Sequence, residues 1–267
     1  MTADARHAPV RTNPGTTSLG VVSYLNARPL YETLLDDERY QFHPAVPSAL
    51  EAMLEAGRCA AALLPVVDYW RNRHTLRLVS DGCIASDGET MTVRVFARRP
   101  AEKITRLHAD GDSHTSVILS QLIWRRLYGV KLEMVPWNID DAPGFDDVEA
   151  VLLIGDKVVT SEPAGFGFEV DLGAAWKYLT GLPFVFAAWY ARNDAGDDAL
   201  GAALNSARDA GVARAAEIAA RFAPVHGWPE AVARRYLCET LQFTMTTDAR
   251  EGMNQFFSMA TEEGLLP

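Results

Sequence analysis

Between Leu19 and Ser86 short apolar runs alternate with helical patterns, and this alternation limits the fold more than any other feature of the chain. The apolar run Leu19, Val21, Val22 passes through Ser23, Tyr24, Leu25 and Asn26 into a helical pattern that starts near Pro29. Proline suits a first helical turn, where its absent N–H would have had no partner. Tyr40 to Pro44 reads as a second strand. Pro47-Ser48 then opens a helix over Ala49 to Ala56, with Leu50, Met53 and Leu54 on one face and Gly57 as its stop. Cys59 to Val66 is continuously apolar and interrupted only by Pro65, as expected for a buried parallel strand. Leu76 to Ser80 and Cys83 to Ser86 read as strand material around a glycine turn. The pattern predicts an α/β architecture with a mostly parallel sheet.

A second unit follows without a low-complexity linker. Met91 to Ala97 alternates as a strand, and Leu107 and Ala109 lead into Asp112-Ser113-His114-Thr115-Ser116. Ser and Thr at that entry are strong caps for a helix running to Tyr128 and stopped by Gly129. Leu132 to Val135, Val148 to Ile154 and Leu182 to Ala191 read as further strands, the second ending in Gly155-Asp156. From Asp197 onward the pattern is helical: Ala199 to Phe222, Pro229 to about Met245, and Asp248 to Glu263. No internal repeat is visible. Two α/β units in succession predict two lobes around a cleft.

Composition excludes several classes of function. A net charge of −10 argues against nucleic acid or an anionic membrane as partner, because such partners ask for a basic face. A few local donors could still outweigh that distant charge, which salt screens, so an anionic small molecule remains compatible. Cys59, Cys83 and Cys238 lie far apart and form no C-x-x-C, as expected of a reducing compartment. Met1 to Ser18 is polar, has no apolar stretch of signal-peptide type, and reads as a disordered tail. No run of about eighteen apolar residues offers a membrane span, so a cytoplasmic location is expected. The six histidines show neither H-x-x-H nor H-E-x-x-H spacing, and the chain lacks nucleotide-loop and nucleophile-elbow motifs. No metal or cofactor is expected.

What remains is a set of hydroxyl, amide and main-chain groups at strand-to-helix turns: Ser23, Asn26, Ser86, Thr92, Ser113, Thr115, Ser116, Gly155 and Asp156. Such donors at strand ends, backed by helix N-termini, suit a carboxylate or phosphate. Each taken singly also fits a helix cap, Asn26 and Asp156 included.

Taken together and in order, the motifs are more specific. Val22-Ser-Tyr-Leu-Asn26-x-x-Pro-Leu30, Leu64-Pro65 with Tyr69, Ser86-Asp-Gly88 with Thr92-Val93, Ser113-x-Thr-Ser116, Leu153-Ile-Gly-Asp156, Asp171-Leu-Gly173 with Trp176-Lys177, and Thr180-Gly-Leu-Pro-Phe-Val-Phe186 with Trp189 resemble the MqnA family. These are the chorismate dehydratases of the futalosine route to menaquinone. The resemblance implies a type II periplasmic-binding-protein fold. One lobe would comprise 19–93 with 187–267 and the other 94–186.

It also implies that chorismate loses water to give 3-[(1-carboxyvinyl)oxy]benzoate without a cofactor. Asn26 and Thr92 would then be catalytic. Ser23, Ser86, Ser113, His114, Thr115, Ser116, Gly155 and Asp156 would bind substrate. Thr92 stands where the family usually has Ser, His114 where it has Arg, and Glu89-Thr90 where it has Pro-Val. A protonated His114 would make binding weaken as pH rises. The proton acceptor is either the substrate's own enolpyruvyl carboxylate or Asp156. Two other readings stay open at this point: the dihydroxynaphthoate-forming sister family, and a non-catalytic cytoplasmic binder of a small carboxylate.

Overall fold

The computed structural model describes residues 15–139, 145, 148–161, 163, 165–195 and 198–267. Most of the stretch read as a tail, 1–14, lies outside them, whereas Thr17 and Ser18 already belong to the first strand, β1 (Thr17–Val22). β1 lies between β2 (Tyr40–Ala45) and β3 (Ala61–Pro65), parallel to both. The chain then enters β4 (Leu76–Ser86), one continuous strand that carries Gly82 within it and does not break into two pieces at a turn.

β5 (Val93–Ala97) begins a second sheet with β6 (Arg106–Asp110), β7 (Glu133–Trp137), β8 (Ala150–Ile154) and β9 (Phe168–Asp171). β10 (Phe184–Arg192) returns to the first sheet, antiparallel to β3 and β4. β11 (Leu241–Thr244) adds to the edge of that sheet beside β4. β11 falls inside the stretch read as one long helix. There the helix ends in a π-turn over Tyr236–Thr240, and Leu241 is already extended.

The expectation of mostly parallel sheets needs correction, because both sheets are mixed for the same reason. Across the first the order is β2-β1-β3-β10-β4-β11, and across the second β7-β6-β8-β5-β9. In each, the fourth strand comes from the segment that passes between the sheets and runs antiparallel to its neighbours. β1 therefore corresponds to β6, and β3 to β8. The repeat invisible in the sequence exists as topology. β3 and β8 are buried along their whole length, which accounts for their unbroken apolar composition.

Helices α1 (Leu50–Glu55), α2 (Val66–Arg71), α3 (His114–Ile123), α4 (Asp156–Thr160) and α5 (Leu172–Thr180) follow strands. α6 (Asp198–Ala213), α7 (Ala215–Phe222), α8 (Glu230–Arg235) and α9 (Thr247–Glu262) close the chain. The Thr180–Phe186 motif has a packing role. Trp176 donates its indole N–H to the Pro183 carbonyl at 3.1 Å and packs edge-on against Phe184 and Phe256, with ring centroids 5.3 and 6.0 Å away. No helix among the described residues is long and apolar enough to cross a membrane.

Candidate functional site

Where the carboxyl ends of β1, β3, β6 and β8 approach one another they line a narrow pocket, in the position where such sheets favour ligands. Val22, Pro65, Ile84, Phe186 and Ala187 form apolar walls from the first sheet, and Val93 and Ile154 from the second. The polar side chains on the wall are Tyr24, Asn26, Thr90, Thr92, Ser113, Ser116 and Tyr236. No described lining residue carries a formal charge at neutral pH.

Asn26 stands in a 3-10 helix, Leu25–Leu30, so it is not the cap of a helix starting at Pro29. Its Oδ1 is buried with no hydrogen-bond partner among the described residues, an unusual condition for an amide oxygen. Thr92 Oγ1 lies 2.6 Å from the hydroxyl of Tyr236. Burial raises the Tyr236 phenol well above its ordinary range, opposed by its hydrogen bond with Thr92 and by the nearby Asn26 amide. Ser113 caps α3, accepting the Ser116 N–H at 3.3 Å and the Ser116 hydroxyl at 3.1 Å. Gly155 completes the wall at φ +61, and a Cβ there would meet the Tyr24 ring at 2.5 Å. Only glycine fits both that dihedral and that contact.

Formal charges sit one layer behind the wall, where Asp112 and Asp171 hold neutral groups in place. The Tyr24 hydroxyl donates to Asp112 at 2.7 Å. Burial first, then this bond, holds the Tyr24 phenol well above its usual range. Lys157 bridges Asp112 at 2.7 Å and Asp110 at 2.8 Å. Burial works to lower the Lys157 pKa, and the two aspartates carry it above the usual value. The Asp171 carboxylate accepts the Thr90 and Met91 N–H groups, at 3.0 and 2.9 Å, and caps α5. It thereby fixes Met91 at φ 64, immediately before Thr92. Gly173 lets this region close, because a Cβ there would lie 2.4 Å from the Gly88 carbonyl.

Asp156 does not line the pocket and does not cap its own helix, α4. Its carboxylate accepts from Leu25 N at 3.2 Å, Trp228 Nε1 at 3.1 Å and His226 Nδ1 at 2.7 Å. A residue of α4, the helix after β8, thus caps the helix that carries Asn26.

Of the ten residues singled out from sequence, the structure brings Asn26, Thr92, Ser113, Ser116 and Gly155 together. Ser23 is absent from the wall. Ser86 is also off the wall, where its hydroxyl donates to the Gly88 carbonyl at 3.2 Å. Thr115 Oγ1 turns away and accepts from Val67 N at 3.2 Å, tying α2 to α3.

His114 pairs with the fully buried Asp68, with Nδ1 2.6 Å from Oδ1. That bond, against the opposing effect of burial, raises the imidazole pKa. Any pH effect of His114 therefore acts on the joint between α2 and α3, not directly on the pocket wall. Glu51, Asp68 and His114 also bring ligand-type atoms within 4.8 Å of one another, from three separate elements that spacing rules cannot connect. Arg28 is spent on Glu32 and on the face of the Phe222 ring, 3.3 and 4.2 Å away. Sequence reasoning did not single out Tyr24, Thr90 and Tyr236 as site residues. Tyr24 lay within a quoted motif, whereas Tyr236 lies outside all of them.

Comparison with known proteins agrees with this architecture. A family described as menaquinone biosynthesis matches residues 17–262. A chorismate dehydratase from Thermus thermophilus is 31% identical over 219 residues, spanning 75% of this chain and 79% of the relative. Among solved structures, a structural-genomics protein from Archaeoglobus fulgidus superposes with a TM-score of 0.76 at 16% identity, covering 96% of this chain and 100% of its own. The periplasmic aliphatic sulphonate-binding protein of Escherichia coli superposes with a TM-score of 0.66, also at 16% identity, covering 96% and 89%. At such identities the structural matches speak to the fold alone, which is that of the periplasmic binding proteins.

Proposed function

We propose a chorismate dehydratase, starting from the fact that this chain belongs to the menaquinone biosynthesis family. The reaction removes the ring hydroxyl of chorismate and the hydrogen on the adjacent ether-bearing carbon as water, leaving 3-[(1-carboxyvinyl)oxy]benzoate. Aromatisation of the ring supplies the driving force, so the protein's task is to bind, orient and exclude side reactions. The observation that carries the proposal is the uncharged wall, with the unpartnered Asn26 Oδ1 among its polar groups.

A substrate carboxylate is assigned to Ser113, Ser116 and the N-terminus of α3, where main-chain N–H groups and the helix dipole favour an anion. Asn26 Oδ1 accepts from the ring hydroxyl and orients it, and Thr92 supplies a hydroxyl to the departing oxygen. Among the described residues the wall offers neither carboxylate nor imidazole as a base, and Asp156 already holds three donors. This supports the substrate's own enolpyruvyl carboxylate as the proton acceptor. The proposal includes a cofactor-independent hydro-lyase of the futalosine route, a cytoplasmic location, and lobes over 19–93 with 187–267 and over 94–186.

The test is to incubate the purified protein with chorismate and follow the product by mass-resolved chromatography. Stoichiometric benzoate product is expected. Tight binding without product would leave a carboxylate binder, and neither binding nor product would remove the reading altogether.

A further inference from the structure

The C-terminal segment ends at the pocket with a residue that no motif contains. Tyr236 opens the π-turn after α8, is 1% exposed, and has its hydroxyl 2.6 Å from Thr92 Oγ1. Asn26 lines the same wall, its Oδ1 without a partner among the described residues. With the phenol donating to Thr92 Oγ1, the Thr92 hydroxyl hydrogen is free to point into the pocket.

The ring is itself fixed, stacked on Trp228 with centroids 5.0 Å apart and planes at 24°. Trp228 donates to Asp156, the carboxylate that caps the helix of Asn26. One continuous set of contacts thus joins the phenol to Thr92 and to the helix that carries Asn26. π-Turns recur at functional sites, and this one sets the phenol against Thr92.

We infer that Tyr236 is a positioning residue of the dehydration site, donating to Thr92 Oγ1 so that the Thr92 O–H is aimed at the departing oxygen, while Asn26 Oδ1 stays open to substrate. This rests on the dehydratase reading of the same pocket. Hydrogen bonds in such a chain reinforce one another, so its members act as a unit.

The test is Tyr236→Phe, which keeps the ring and its stack on Trp228, set beside Thr92→Val and the double variant. Tyr236→Phe is expected to lower kcat by about tenfold to a hundredfold with KM within about threefold and the thermal midpoint near that of the parent. The double variant should be no slower than the slower single variant, as for residues that work together. A wild-type kcat in Tyr236→Phe, or losses that multiply in the double variant, would overturn the inference. So would a loss that appears only as raised KM and lowered thermal midpoint.

A second readout does not need turnover. In 13C-labelled protein, the Thr92 Cβ resonance should shift in Tyr236→Phe, and an unmoved resonance contradicts the inference. If the parent protein gives no product from chorismate while that resonance moves, the reaction assignment fails and the positioning role stands.

Discussion

The turn after β1 and the turn after β6 hold the same place in two sheets of the same strand order, yet they are stabilised by opposite means. In the second the cap is local: Ser113 caps the ten-residue helix that follows it, through Ser116. The first enters a short 3-10 helix whose N-cap, Tyr24, offers no side-chain cap of its own. Its leading N–H is taken by Asp156 of α4, which follows a strand of the other sheet. Contacts across the pocket reach both turns, since Asp112, Thr115 and His114 bond to Tyr24, Val67 and Asp68. The difference lies in the caps: the α3 cap is supplied from its own turn, whereas the helix that carries Asn26 is capped from across the pocket.

This contrast can be broken in several places. The largest effect is expected from Asn26→Ala, which removes the free acceptor. Losing one preorganised polar group at a reacting oxygen costs about 2.7–4 kcal/mol of barrier, or 10²–10³ in kcat, while chorismate affinity should change far less. Equal losses in kcat and affinity, measured by turnover and calorimetry, would reduce Asn26 to a binding group.

Gly155→Ala should follow, because the methyl meets the Tyr24 ring at 2.5 Å from a left-handed backbone. A stability loss of about 1–3 kcal/mol in chemical denaturation is expected, with activity falling in parallel as the wall shifts. Asp156→Ala leaves three donors without their acceptor and should cost about 1–3 kcal/mol. Its signature is faster hydrogen exchange at the Leu25 amide with the Ser116 amide unchanged. Asp156→Asn should retain most of the rate, and its loss would restore Asp156 as the base.

Ser113→Ala is the converse, costing about 1 kcal/mol and freeing Ser116 while Leu25 stays protected. If either change opened both turns, the difference between them would not be real.

The smallest effect concerns His114. Its pKa is raised in the folded state, so the stability it contributes is complete below its ordinary value near 6.5 and is lost as pH rises through the raised one. The gap in thermal midpoint between the parent and His114→Gln should therefore narrow on going from mildly acid to alkaline pH. A gap that widened would reverse the assignment.

Much of the fold was legible because β1, β3 and β8 announce themselves by apolar content, and α3 by its capping serine and closing glycine. Asn26, Thr92 and the Ser113 turn were legible as polar groups at the ends of such elements. The rest depends on partners distant in sequence. Asp156 looks like a local cap, and only the fold shows its carboxylate turned toward Leu25, 131 positions earlier in the chain. Tyr236 sits in a pattern of ordinary helical residues, and nothing local distinguishes a core tyrosine from one facing Thr92. β11 was lost within the same helical pattern, because a π-turn, unlike proline or glycine, leaves no mark in composition. The antiparallel β5 and β10 are likewise set by the route of the chain between sheets, a property no single strand carries.

The most direct measurement of the central claim is a crystal structure of Asn26→Ala with chorismate bound, the slow variant holding the substrate before water is lost. The account predicts one carboxylate on Ser113 and Ser116, and the ring hydroxyl within hydrogen-bonding distance of Thr92 and facing the space vacated by the Asn26 side chain. Chorismate lodged elsewhere, or held in the pocket with its ring hydroxyl turned away from that space, would contradict it.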